Sequence, residues 1–153
     1  MGQFKQVGKL REDVLHGWRV ADKADMRMRG YPAKTRSLSW SSDSHWLATS
    51  GAGAAVIWPF RDKDGAIDQA RLECGARDVK VTQVAFHPKL PVLAQGYEDG
   101  LLLLCRILDG AEIIVRASQK PAAAITALAW EHSGGRLLFG AADGAAGFLD
   151  MAA

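Results

Sequence analysis

The sequence has 153 residues, 48% of them hydrophobic and 24% charged, with a formal net charge of +2. That is the size and balance of one globular domain, and it excludes a disordered tail, a collagen-like fibre and a disulfide-stapled miniprotein. No unbroken apolar run exceeds the five residues of Leu101-Leu102-Leu103-Leu104-Cys105, far too short to span a bilayer, and the N-terminus carries no apolar signal core.

Only two cysteines occur, Cys74 and Cys105, so a reducing, cytoplasmic compartment is expected. The small net charge hides an asymmetry: through Arg36 there are nine Lys/Arg against four Asp/Glu, and the remainder is net acidic. A basic end can attract acidic partners. The pI of about 8.6 falls short of a nucleic-acid binder, and neither nucleic acid nor membrane is expected as a partner.

Taken in chain order, REDVLHGWRV ends in Trp18 and reads as a third strand, with Gly2-Gln3-Phe4 onward where a second would begin. DMRMRGY alternates charge with apolar side chains and reads as an outer strand. From Thr35 the segment TRSLSWSSDSHWLATSGAGAAVIWPF gives a β-type stretch ending in Trp40, a polar turn, a second apolar stretch, a Gly-rich turn and a third stretch. AIDQARLEC takes the slot of an outer strand. VTQVAFHPKLPVLAQGYEDGLLLLCRI then repeats the whole pattern from Val81, followed by GAEIIVRAS as the next outer strand. ITALAWEHSGGRLLFGAADGAAGFLDM repeats it again from Ile125.

The spacing fixes the period. Trp40 and Phe86 are 46 residues apart, Phe86 and Trp130 are 44 apart, and Asp99-Gly100 and Asp143-Gly144 are again 44 apart. Within each unit the periodicity is two, as in strands whose side chains alternate between faces. Asp99-Gly100 and Asp143-Gly144 read as tight hairpins with positive φ at both turn residues. Four antiparallel strands recurring at this period are the sequence form of a β-propeller blade.

At this point the chain resembles the tryptophan–aspartate (WD) repeat propellers, in particular the C-terminal half of a bacterial WD-repeat protein. VLAQGYEDGLLLLCRI from Val92 and LLFGAADGAAGFLDM from Leu137 follow the family's blade pattern and keep its Asp-Gly turn. The Trp-Asp pair itself appears only in altered form, as Trp18-Arg19, Trp58-Pro59, Cys105-Arg106 and Leu149-Asp150. The resemblance implies an all-β partial propeller of about three and a half four-stranded antiparallel blades, half of a seven-bladed ring. The expected units are an incomplete first blade at 1–31 and repeats at 32–75, 76–117 and 118–153.

An open arc of that kind leaves two blade faces bare. If each exposes roughly 500 Å² of apolar surface, at about 25 cal/mol/Å² it forfeits about 12 kcal/mol, comparable to the whole stability of a domain. Two copies closing head to tail solve the problem; a truncated product without independent function is the other explanation.

Catalytic signatures fail. Gly51-Ala52-Gly53-Ala54-Ala55-Val56 ends in Val where a dinucleotide fingerprint needs Gly or Ala, and it reads as a hairpin. His16, His45, His87 and His132 lack metal-ligand spacing, and His87 and His132 read as solvated turn residues. No catalytic residue, metal site or cofactor is expected. The WD resemblance instead implies a protein-interaction scaffold that uses the fourth-to-first and second-to-third strand loops. By position these are Tyr31 to Arg36, Gly51 to Gly53, Asp78 to Lys80 and Tyr97-Glu98. Tyr31, Arg36, Tyr97 and Glu98 are the candidate binding residues, Tyr and Arg being enriched at hot spots. The competing reading is a propeller hydrolase, lyase or small-ligand site, for which Asp78 and Glu98 are the candidate carboxylates.

Overall fold

The computed structural model describes residues 14–62, 65–66 and 70–151, and the backbone of 4–6. Its fourteen described strands form four antiparallel sheets, and these residues contain no helix. The first sheet is β1 (Phe4–Gln6), β2 (Val14–Arg19) and β3 (Asp25–Arg29). The second runs β4 (Leu38–Trp40), β5 (Trp46–Thr49), β6 (Ala55–Pro59) and β7 (Leu72–Cys74). The third is β8 (Val81–Phe86), β9 (Val92–Tyr97), β10 (Leu102–Arg106) and β11 (Glu112–Arg116). The fourth is β12 (Ile125–Trp130), β13 (Arg136–Ala141) and β14 (Ala146–Asp150). Strands within each sheet are hydrogen-bonded in chain order, the meander that a propeller blade requires. The sheets remain an open arc.

The first strands β4, β8 and β12 lie side by side and tie neighbouring sheets together. Ser37 Oγ accepts from Val84 N at 3.0 Å, and Ser39 Oγ accepts from Phe86 N at 2.9 Å. One repeat later, Thr82 Oγ1 donates to Ile125 O at 2.6 Å, and Trp130 Nε1 donates to Ala85 O at 3.0 Å. Short polar side chains suit this place because they bring two inner strands close and satisfy backbone groups that no ladder reaches.

The core is distributed between the sheets. Leu15, Met26, Met28 and Tyr31 pack on Leu47, Val56 and Trp58 between the first and second. Ala48 and Ile57 meet Leu93, Leu103 and Cys105 between the second and third. Ala94 and Leu104 meet Leu137 and Leu149 between the third and fourth. These contacts are what the double-sided apolar strands of the sequence supply.

Three local expectations need correction. In the Asp-Gly turns only the glycines, Gly100 (φ 85) and Gly144 (φ 87), take positive φ. Gly100 N bonds to Tyr97 O at 3.1 Å, so a longer type I-like turn precedes the left-handed glycine instead of a two-residue hairpin. Asp99 closes that turn by accepting from Leu101 N. β8 and β12 each carry a register shift, at Val81/Gln83 and at Ile125/Ala127, so strict alternation is broken at the same place in both repeats. His87 is buried at 7% exposure, unlike the solvated turn residue expected, while His132 is exposed. His87 Nδ1 accepts from Lys89 N and Leu90 N, and Nε2 bonds to Gly134 O at 3.1 Å. Its ring packs edge-on against Trp130, making it a pin between the third and fourth sheets.

Candidate functional site

The four loops singled out by position meet at one place. The β3–β4 loop contributes Lys34 and Arg36, the β5–β6 loop Gly51, the β7–β8 loop Lys80 and the β9–β10 turn Glu98. Together they border a cleft of about 190 Å³ between the second and third sheets. Ser50 and Thr82 complete its polar lining and were not among the candidates. Neither carries a sequence signal of its own, since each reaches the cleft only because its strand ends there.

The floor is built from backbone. Gly51 N bonds to Val81 O at 3.0 Å, Val81 N to Ala52 O at 2.8 Å, and Glu98 N to Lys80 O at 3.0 Å. Buried Ser50 accepts at Oγ from Arg36 N at 3.2 Å and Ser37 N at 3.0 Å, which holds the base of the Arg36 loop. Gly51, at φ 107, sits where a Cβ would stand 2.8 Å from Ala33 O, so no larger residue fits without moving that loop. These bonds give the loops a fixed backbone while Lys34, Arg36, Lys80 and Glu98 remain exposed. Three cations and one carboxylate make the cleft net positive, and such a rim steers acidic groups toward it.

Arg36 and Glu98 therefore lie at the surface, on opposite loops of one cleft. Tyr31 and Tyr97 do not. Tyr31 is 6% exposed, and its hydroxyl is bonded to Thr49 Oγ1 at 2.7 Å and Trp58 Nε1 at 2.6 Å. Tyr97 is fully buried; its hydroxyl donates to Gly75 O at 2.5 Å and lies 3.0 Å from Gln95 Oε1. Burial raises the pKa of both phenols: for Tyr31 the bonds to Thr49 and Trp58 partly offset it, and for Tyr97 the charge of Arg77 does. Both rings face the core, Tyr31 among Leu47, Val56 and Trp58, and Tyr97 with its hydroxyl in the space that Gly75 leaves by having no Cβ.

Neither of the carboxylates considered for catalysis, Asp78 and Glu98, has a histidine among its hydrogen-bond or ion-pair partners among the described residues. No group of three His, Cys, Asp or Glu among those residues could hold a metal ion. No helix there is long and apolar enough to cross a membrane.

Residues 84–153 match the family described as the anaphase-promoting complex subunit 4 WD40 domain, and residues 26–58 match the WD domain, G-beta repeat. Among solved structures, the β-propeller domain of Cps50 (Swd1) from Myceliophteria thermophila is similar, with a TM-score of 0.72 and 21% sequence identity. The match covers 97% of this chain and 48% of that one, so the chain spans about half the length of that propeller domain. No curated protein matches the chain. The fold is that of part of a β-propeller.

Proposed function

We propose that this chain, a stretch of WD-repeat propeller, is a non-enzymatic interaction scaffold that receives an acidic segment of a protein partner at the cleft between its second and third sheets. One observation carries the reading: four loops from three sheets converge on a backbone-bonded floor and present Lys34, Arg36 and Lys80 around it, with Glu98 opposite. A site on rigid strands loses little entropy when it binds, and a cationic rim with one carboxylate discriminates by charge pattern. Of the residues chosen from sequence, Arg36 and Glu98 are the contacts, while Tyr31 and Tyr97 hold up the loops beneath them. A reducing, cytoplasmic setting suits Cys74 and Cys105, which are both buried and unpaired in one core cluster.

The test is a photo-crosslinking amino acid placed at position 36 or 98, with position 89 on another turn as control. Partner crosslinks are expected from 36 and 98 alone, and they should disappear when Lys34 and Lys80 are both changed to Glu. Equal crosslinking from position 89, or crosslinks that survive the double charge reversal, would remove the cleft as the binding site.

A further inference from the structure

Two thiols from different sheets meet in the core between the second and the third. Cys74 closes β7 opposite Ala55, and Cys105 lies in β10 between Leu93 of β9 and Glu112 of β11. Both belong to one buried cluster with Tyr97 and Leu103; Cys105 is wholly buried and Cys74 is 6% exposed. They are the chain's two cysteines, and both are free.

The approach is built by Gly75, which follows Cys74. Its N–H donates to Glu112 Oε1 at 3.1 Å, and Glu112 stands directly opposite Cys105 in register. Its carbonyl accepts from Tyr97 Oη at 2.5 Å. A Cβ at this position would lie 2.8 Å from Leu103 Cδ2, so a glycine is what lets the end of β7 lie against β10. Leu103 is two residues before Cys105 and shares its face of β10. Arg77 Nη2 donates to Glu112 Oε2 at 2.8 Å, so the chain leaving Cys74 is fastened twice to the residue beside Cys105.

The two thiols act on each other. The Cys105 thiol, as a hydrogen-bond partner, holds Cys74 below the usual thiol range, against burial and the charge of Glu112. The same contact, together with burial and the charges of Glu112 and Asp109, pushes Cys105 up. Cys74 is therefore the sulfur that becomes thiolate, while Cys105 keeps its proton. β7 is the outer strand of its sheet, with Leu72 and Glu73 exposed, so local opening at that edge uncovers Cys74 first.

We propose that Cys74 and Cys105 are a redox pair that a hydroperoxide converts to a disulfide, locking the second sheet to the third. The Cys74 thiolate attacks a peroxide oxygen and the O–O bond breaks. The leaving oxygen takes up the proton that Cys74 lost and departs as alcohol or water, and Cys74 is left as the sulfenic acid. Cys105 sulfur then attacks Cys74 sulfur: the S–S bond forms, the S–O bond breaks, and the hydroxide leaves with the Cys105 proton as water. The thiols lose two electrons and the peroxide gains them. The pair is independent of the cleft and stands or falls separately from the partner binding proposed there.

The experiment treats the folded, reduced chain with hydrogen peroxide, then with N-ethylmaleimide in denaturant, and reads the mass. The expected product is a single chain lighter by two hydrogens that takes no maleimide, with tryptic peptides 72–77 and 90–106 joined. Dithiothreitol should restore two maleimides per chain. In Cys105→Ser, dimedone should trap sulfenic acid at Cys74, whereas Cys74→Ser should stay unmodified; circular dichroism checks that both variants fold, and the wild-type result does not depend on them. Both thiols surviving peroxide that fully oxidises glutathione would overturn the proposal. So would a disulfide between two chains, or sulfinic acid in place of the disulfide. A dimedone adduct on Cys105 in Cys74→Ser as large as that on Cys74 in Cys105→Ser would overturn the order of attack.

Discussion

Trp58 Nε1 donates a 2.6 Å hydrogen bond to Tyr31 Oη across the boundary between the first and second sheets. The bond belongs to a relay. Tyr31 Oη is 2.7 Å from Thr49 Oγ1, and Thr49 donates in turn to Val56 O at 3.2 Å. With Thr49 donating to the carbonyl, the phenol donates to Thr49 and accepts from the indole, so each hydroxyl gives one proton and takes one. Buried polar groups are stabilising only when every member is satisfied, and this one is.

Tyr31→Phe breaks the relay at its centre and strands the buried indole N–H of Trp58. The expected cost is about 1–3 kcal/mol, the penalty for an unsatisfied buried donor. Urea unfolding followed by far-ultraviolet circular dichroism measures it; an unchanged midpoint would mean that the bonds contribute nothing.

The chain has two tyrosines, Tyr31 and Tyr97, and burial raises the pKa of both. A folded-state pKa above the unfolded value gives stability that is whole below about pH 10 and shrinks as pH rises past it, because the unfolded chain then sheds protons the folded one keeps. Phenolate absorbance near 295 nm should therefore stay flat through pH 10 and rise only together with loss of β-sheet signal. A phenolate that titrates near pH 10 in the folded protein would contradict the buried placement of that residue.

Gly96→Ala tests the closeness of the third and fourth sheets. A Cβ at position 96 would lie 2.5 Å from Ile125 Cγ2 and 2.6 Å from Ile125 Cβ, which no real contact allows. The inner strands must separate, at a cost of about 1–3 kcal/mol or more. Ile125→Ala is itself destabilising, yet in combination with Gly96→Ala the loss should be smaller than the sum of the two. Thermal unfolding of the four proteins in the cycle reads the coupling directly.

The repeat was legible because a blade is a local object. Its strands, turns and period follow from alternation and from Gly and Asp at fixed places, and Trp40, Phe86 and Trp130 marked its register in the linear chain. The loops that would meet were legible for the same reason, since blade position assigns each loop to one rim. Which side chain of a loop faces outward was not. Tyr31 and Tyr97 have the composition of contact residues, but their hydroxyls find Thr49, Trp58 and Gly75 only when neighbouring strands are assembled.

His87 makes the same point in a turn. Its place before Pro88 in a turn gave no reason for burial, and the reason is Gly134 and Trp130, which belong to the next repeat. The sequence by itself determined what depends on neighbours within one blade: the all-β class, the period of the repeat, the strand order and the loops that share a rim. Only the tertiary structure decided what depends on residues in a neighbouring sheet or repeat, including the buried tyrosines, whose partners Thr49 and Gly75 lie 18 and 22 positions away, the histidine pin, whose partner Gly134 lies 47 away, the cationic cleft and the exposure of Leu138 and Phe148 on the fourth sheet. The physical reason is that strand periodicity names two faces but not what lies against them, and burial is a property of the pair of sheets.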